Sequence, residues 1–423
     1  MTGTDGGGAE ASTGWDAERG DGPRPLAGVV VLDITRVVAG PYCSMILADL
    51  GATVIKVENP REPDYAREFP PLLQGGQGDT FSAFFAQFNR NKFAMTIDLQ
   101  TEDGKQLLRE LAAKAHVLVE NFRAGTMDKL GLGPAELRSI NPSLVYTAIS
   151  GFGQTGPYRR RPAYDNSAQA TGGLWSMNGF ADRPPARVGT IIGDLAATMY
   201  GVIGTLAALR HAERTGEGQL VDISQQDSVL SLTDNAVVSY TFDGKVAGPL
   251  GNQHPFVKPY ELFPCKDGYV FFGGYTDKFW GITCAMFGAP EVASDPAIDT
   301  MGKRFDPETY EQRVRPLLIE WFSERTQAEL EALAGDQVPL SAVKDIAGVV
   351  GDEQIRARDM VVGVDYPDFG HLEMFGSPIK LDLTPAQPRG LAPTVSEHTD
   401  VLLRGMLGAD DARLADLREK GAI

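Results

Sequence analysis

The sequence predicts an α/β fold: a large domain on a parallel, doubly wound sheet, with a second, smaller α+β lobe. Three observations carry this. An apolar run at 29–33, a helix-length stretch and a second apolar run at 53–58 make one βαβ unit. Comparable runs recur at 117–120, 144–149 and 219–223 with helical stretches between them, the alternation of a sheet covered on both faces. The chain has 423 residues, more than the roughly 250–300 that one core fills, and its texture changes after about residue 240.

Each element has a local reason. Val29-Val30-Val31-Leu32-Asp33 is a continuous apolar run of strand length. Pro41 suits the first position of a helix at 42–50. Helices follow at 104–114, 127–130 and 134–139. The helix at 195–214 carries Ala196, Ala197, Gly201, Gly204, Ala207 and Ala208. Glycine inside a helix costs about 0.5–1 kcal/mol relative to alanine, so another backbone should approach closely there. A turn at 215–218 leads to the strand at 219–223 and a helix at 225–240. The second lobe has a loop-rich stretch at 248–264, a strand at 269–273 and helices at 277–287, 307–325 and 327–333. Apolar strands at 338–343 and 363–366 and a helix at 399–407 close the chain. Residues 1–25 offer almost nothing to bury and read as a disordered leader.

Composition narrows the function. Hydrophobic residues make up 43% and charged residues 22%, which excludes disordered, collagen-like and disulfide-scaffold chains. With 39 basic against 56 acidic side chains the net charge is −17, so nucleic acid is no partner. An anionic small ligand would need a local cluster of positive charge. Cys43, Cys265 and Cys284 lack metal or redox spacing, and the five histidines are scattered, so no metal site is expected. No signal sequence opens the chain, and its longest nearly apolar run, 195–209, has 15 residues, short of the roughly 18–20 that span a bilayer. A cytoplasmic protein with no membrane partner is expected.

Four places invite chemistry. The loop Thr35-Arg36-Val37-Val38-Ala39-Gly40-Pro41 has one glycine where a dinucleotide fingerprint needs three. The helix start beyond it could still hold a phosphate or nucleotide, against the alternative of an ordinary βα loop. Asp194, before the apolar helix at Leu195, reads as its N-cap, held ionised by the helix dipole. A partly dry carboxylate there is a competent nucleophile toward a thioester or ester. Asn121-Phe122-Arg123 and Lys129 follow a strand and read either as a phosphate clamp or as a solvated charged turn. Arg159-Arg160-Arg161 reads first as a surface loop and second as a phosphate contact. His254 more readily fixes its loop than performs catalysis.

Taken in order, several segments resemble the class III coenzyme A transferases, the formyl-CoA and carnitine-CoA transferase group. They are 25–28 with 31–42, 49–58, Asn89-Arg90-Asn91-Lys92, 119–123, 150–157, Gly193-Asp194, 215–219, 376–380 and Glu397-His398-Thr399. The resemblance runs from about residue 26 to the C-terminus. It implies a Rossmann-like large domain built from both chain ends (26–205 and 331–423), a linker at 206–224, a small domain at 225–330 and an interlinked homodimer. It implies CoA transfer from an acyl-CoA to a free carboxylic acid through aspartyl anhydride and aspartyl-CoA thioester intermediates. Coenzyme A is then a substrate, with no permanently bound cofactor. The nucleophile falls on Asp194, and CoA contacts fall on Arg36, Val37, Val38, Ala39, Asn121, Phe122, Arg123 and Lys129. Val38 stands where formyl-CoA transferase has a glutamine, which argues against formate or oxalate, and that enzyme's glycine-rich covering loop is not recognisable. The family also contains 2-methylacyl-CoA racemases, whose Gly-His-Asp segment is matched here by Ala163-Tyr164-Asp165. Tyr164, at the substrate pocket, replaces the racemase histidine, which disfavours that alternative. A non-catalytic acyl-CoA-binding protein is the third reading, disfavoured by the intact Asp194.

Overall fold

The computed structural model describes residues 23–76 and 78–423, so the expected leader lies outside the described residues except for its last three positions. Two compact units form. One takes the chain up to Leu174, Arg187–Val238 and Arg356–Ile423; the other takes Trp175–Ala186 and Ser239–Ile355. In the second unit, Leu340–Ala342, Gly268–Phe272 and Glu261–Cys265 form an antiparallel sheet over a core of Phe263, Phe272, Trp280 and Phe322. Glu261–Cys265 falls inside the stretch expected to be loop. It contains Pro264 and lies at the sheet edge, where a missing N–H is tolerated.

The first unit is built on six parallel strands in the order Lys92–Thr96, Thr53–Glu58, Val30–Asp33, Val117–Glu120, Val145–Ser150, Leu220–Ser224. Counted along the chain this is 3-2-1-4-5-6, an order of the doubly wound class expected, and its direction reverses between the first and fourth strands. Lys92–Thr96 was not expected as a strand because it directly follows Asn89-Arg90-Asn91 and opens on Lys92, a polar and charged run that is nonetheless buried. All six strands come from residues 30–224. The C-terminal end joins the same core with helices: Thr399–Leu407 as expected, and Asp411–Glu419, whose charge-rich sequence hides it. The C-terminal segment also closes the open edge of the sheet. The His398 N–H donates to the Ala94 carbonyl, His398 Nδ1 accepts from Ala94 N, and Thr399 Oγ1 accepts from Thr96 N. The Glu-His-Thr segment is thus a cap on a strand edge.

Several boundaries differ from expectation. The first helix is Ala39–Asp49, which makes Pro41 its third residue. The helix expected at 225–240 is two, Gln225–Leu230 and Ala236–Asp243; Ser231 and Thr233 bond back to the carbonyls of Ser228 and Leu230, and Asp234 has φ +52°. The helix expected at 307–325 passes through a π-turn at Tyr310–Val314 before Pro316, which has no N–H to give. The strand expected at 363–366 is Val361–Tyr366 and pairs, among the described residues, only with Gly370–Phe375.

The small-residue helix spans Ile192–Thr215, but what packs against its glycines is side chains, not the backbone expected. A Cβ on Gly201 would stand 3.0 Å from Ile149 and 3.2 Å from Cys43, and one on Gly204 would stand 2.6 Å from Val221. At 24 residues it is longer than the apolar run suggested, and by length and composition it could cross a bilayer, but half of its apolar window is buried within the protein.

Beneath the sheet's carboxyl edge lies a group of buried charges. Lys92 Nζ donates to Asp33 (2.8 Å), Pro41 O (2.8 Å) and Asn89 Oδ1 (2.8 Å), and Ser44 Oγ donates to Asp33 (2.7 Å). Lys56 Nζ donates to Asp64 (3.1 Å) and to the Thr35 carbonyl (3.0 Å). Burial alone would raise the Asp33 carboxyl, but Lys92 and Lys56 outweigh it and hold it far below the ordinary range. Burial pushes Lys92 down to about 8. Removing one partner of a buried pair leaves the other charge uncompensated. Lys92→Met should therefore cost about 3–5 kcal/mol in urea unfolding, and the double variant Asp33→Leu/Lys92→Met should cost less than the single. Equal stability of Lys92→Met and the parent would contradict this.

Candidate active site

The reversal of strand order opens a crevice outside the carboxyl ends of Val30–Asp33 and Val117–Glu120, where ligands bind in this architecture. The loops leaving those strands, 34–38 and 121–125, are fixed from below. Asp33 accepts from Thr35 N (2.9 Å) and from the Thr35 hydroxyl. The Asn121 side chain clamps Arg36, accepting from its N–H (2.9 Å) and donating to its carbonyl (2.7 Å). Both carboxylate oxygens of Asp64 take the Val37 N–H, at 3.1 and 3.2 Å. Val37 needs that hold: its φ is +69°, a conformation β-branched residues avoid and one that costs about 1–3 kcal/mol.

A cavity of about 480 Å³ lies over these loops. Its lining brings together Arg36, Val37, Val38, Ala39, Asn121, Phe122, Arg123, Tyr164 and Asp194. Lys129 is elsewhere. It lines an adjoining cavity of about 640 Å³ with Arg123, Arg159 and Arg160, above the buried Glu120 and Tyr146. Burial pushes the Glu120 carboxyl up to about 8. Among the described residues Asp194 is the one carboxylate lining the first cavity, against four guanidinium groups: Arg36, Arg123, Arg159 and Arg161. None of the four has a carboxylate partner among the described residues. In a chain of net charge −17 this is the local positive cluster an anionic ligand requires. Arg159 and Arg161, read first as a surface loop, belong to this wall. Tyr164 is 76% exposed, and none of the five histidines lines the cavity.

Asp194 is not the N-cap. The helix begins at Ile192, which places Asp194 at its third position, and the capping carboxylate comes from Asp165. Asp165 Oδ1 accepts from Gly193 N (2.7 Å) and Asp194 N (3.4 Å), and its Oδ2 accepts from Gln169 Nε2 (2.7 Å). Asp194 is left half-buried, beside a second carboxylate, with Gln225 Nε2 donating to its Oδ1. Burial first, and the Asp165 charge second, push it up to about 7 rather than keeping it firmly ionised. Gln225 was missed by sequence reasoning, as were Tyr65 and Asp165. The available signal was position: Gln225 directly follows the carboxyl end of the Leu220–Ser224 strand, on the same sheet edge as the other loops. At the start of the Ala39–Asp49 helix no side chain caps the first turn, and Val38 and Ala39 face the cavity.

The raised Asp194 value has a sign for stability. Between its unfolded value of 3.8 and about 7 the folded state holds the proton more tightly, so stability falls as pH rises through that window. Asp194→Asn removes the cost and keeps an acceptor for Gln225. It should melt higher than the parent at pH 8, with the gap closing toward pH 4; a lower melting temperature at pH 8 would contradict the burial argument.

The CoA-transferase family III model matches residues 26–399. The chain is 38% identical over 378 residues to the succinyl-CoA:mesaconate CoA-transferase of Haloarcula hispanica, covering 88% of this chain and 94% of that one. It is 34% identical over 403 residues to the succinyl-CoA–D-citramalate CoA-transferase of Chloroflexus aurantiacus, covering 95% and 98%. The crystal structure of a CAIB/BAIF family protein from Brucella suis superposes with a TM-score of 0.80 at 33% identity, over 90% of this chain and 99% of that one. The family, the fold class and the enzyme class expected from the motifs are all met. The chain belongs to CoA-transferase family III, enzymes that move coenzyme A from an acyl-CoA to a free carboxylic acid.

Proposed function

We propose that the protein transfers CoA from a dicarboxylic acyl-CoA such as succinyl-CoA to a free dicarboxylic acid, with Asp194 as nucleophile. The observation that carries this is a half-buried carboxylate sharing one cavity with four guanidinium groups that have no carboxylate partner among the described residues. Two relatives named for succinyl-CoA and a second dicarboxylic acid support the substrate class.

One Asp194 oxygen attacks the thioester carbonyl carbon. The C–S bond breaks, leaving a mixed anhydride and CoA thiolate. The thiolate attacks Cγ of Asp194, releasing the donor as its carboxylate and forming the aspartyl-CoA thioester. The acceptor carboxylate attacks the same Cγ and expels the thiolate, which then attacks the acceptor's acyl carbon and frees Asp194. No step needs a proton donor, and no histidine lines the cavity. Acylation also removes the Asp194 charge from beside Asp165, so the strain that raises its pKa favours the covalent states. The uncapped start of the Ala39–Asp49 helix, whose Val38 and Ala39 line the cavity, offers N–H donors to the acyl oxygen. Arg36, Arg123 and Lys129 hold the CoA phosphates, with Phe122 at the adenine, while Asn121 acts by clamping Arg36. A racemase would need a second proton-transfer group, and Tyr164 has a phenol in place of the histidine.

The chain works as a homodimer in the cytoplasm. Support for the dimer is the exposed apolar set Met199, Tyr200, Ile203, Leu230, Leu232, Val237 and Val238 in the first unit, more than a monomer usually leaves bare.

Asp194→Asn should abolish CoA transfer from succinyl-CoA to a panel of dicarboxylic acids, followed by mass spectrometry of new CoA esters, while still binding CoA. Parent-like turnover would overturn the assignment. Arg123→Ala or Lys129→Ala should raise KM for acyl-CoA about ten-fold or more, since a charge-assisted hydrogen bond contributes roughly 1.5–3 kcal/mol. KM for the acceptor should barely move; an equal rise in both would show the nucleotide end misplaced.

A further inference from the structure

Gln225 enters the cavity from its own element. It follows the end of the Leu220–Ser224 strand and begins the Gln225–Leu230 helix, whose first turn is capped by Ser224 Oγ accepting from Asp227 N (3.1 Å). The adjoining Gln226 N–H is tied to the Gly151 carbonyl (3.1 Å). The side chain is 7% exposed, lines the cavity and donates from Nε2 to Asp194 Oδ1. No other described residue donates to that carboxylate, and the N–H groups of Gly193 and Asp194 go to Asp165.

This geometry makes the two Asp194 oxygens unequal. Oδ1 is engaged by the amide, and no described residue donates to Oδ2, which is left to attack. In the reaction proposed above, on which this inference rests, the first and last steps are attacks on the substrate's acyl carbon. The oxyanion there forms on the substrate's own oxygen. The second and third steps differ, because CoA thiolate and then acceptor carboxylate add to Cγ of Asp194 itself. If Oδ2 made the bond to the acyl group, the carbonyl of the aspartyl anhydride is Oδ1, and so is the oxyanion of both tetrahedral states. We infer that Gln225 is a catalytic residue of these two middle steps, its carboxamide N–H donating to Asp194 Oδ1 as negative charge develops there. The electrons of the Cγ–Oδ1 double bond move onto Oδ1 as the nucleophile adds, and return as the leaving carboxylate or thiolate departs. Gln225 transfers no proton.

A donor aimed at a developing oxyanion is worth about 10²–10³ in rate. Gln225→Met keeps the length and removes the donor. Gln225→Glu keeps the shape and puts a carboxylate there, and should be slower still. Both variants should retain parent-like affinity for CoA, because the amide touches the reacting carboxyl and not the nucleotide, while KM for acyl-CoA falls with kcat as the anhydride accumulates.

The decisive readout is which adduct accumulates. The protein is mixed with succinyl-CoA without acceptor, quenched, and the Asp194 peptide weighed. The parent should carry CoA as the aspartyl thioester. Gln225→Met should fall about 10²–10³-fold in kcat and carry the acyl group as anhydride, trapped with hydroxylamine as the Asp194 hydroxamate. A parent-like kcat, or a loss of rate with the parent's adduct still dominant, would overturn the role of Gln225 alone. Absence of any Asp194 adduct from the active parent enzyme would instead overturn the underlying reaction. A variant that fails to bind CoA is set aside by its melting curve, and Gln225→Asn, a shorter donor, then decides by its adduct: mostly anhydride supports the role, mostly thioester at parent rate contradicts it.

Discussion

The site depends on two buried ion pairs, Asp33 with Lys92 and Lys56 with Asp64. Four ionisable groups in a dry layer are expensive, and replacing such pairs with apolar residues is often neutral or stabilising. Their use here is positional. Each pair reaches upward to a backbone group of the loop after the first strand: Asp33 to Thr35, Lys56 to the Thr35 carbonyl, Asp64 to Val37. Lys92 extends the same layer to the Pro41 carbonyl in the first helix. A loop anchored at so many points can keep Val37 at a positive φ, and with it the start of the following helix aimed into the cavity. The anchoring charges come from four separate segments of chain, so the sheet must be assembled before the loop has its shape.

The same trade between stability and use recurs at Asp194. A nucleophilic carboxylate is better when water does not solvate it, yet an unsolvated carboxylate protonates. Asp165 resolves part of this by taking the N–H groups of the helix start, which would otherwise lower the Asp194 pKa. What remains is a carboxyl poised near neutrality, with one amide donor and arginines around the cavity. A value near 7 against an ordinary 3.8 corresponds to roughly 4 kcal/mol of raised energy in the ionised form. Covalent acylation relieves it.

Much of this was legible in the sequence. The apolar runs of the central strands are buried on both faces, so they show as uninterrupted hydrophobic stretches at nearly their true bounds. Lys92–Thr96 was hidden because it opens on a buried lysine directly after Asn89-Arg90-Asn91, a polar and charged run that composition reads as surface. The arginines at 159–161 were hidden for the converse reason, since a basic run looks alike whether it faces solvent or a cavity. Motif resemblance could not separate frame from site. Asn89-Arg90-Asn91-Lys92 holds Asp49 and Asp33, and Glu397-His398-Thr399 caps a strand edge, so both are scaffold. Gln225 carried no motif, and only the three-dimensional order of the strands brings it to Asp194.

The central claim is that Asp194 becomes covalently bonded during turnover. Intact-protein and peptide mass spectrometry of the wild-type enzyme, quenched within the first turnover after mixing with acyl-CoA alone, tests it most directly. The account predicts a mass increase equal to CoA minus water, confined to the peptide that contains Asp194 and discharged when an acceptor acid is added before the quench. An enzyme that turns over under the same conditions with no adduct, or with the adduct on another residue, would contradict it.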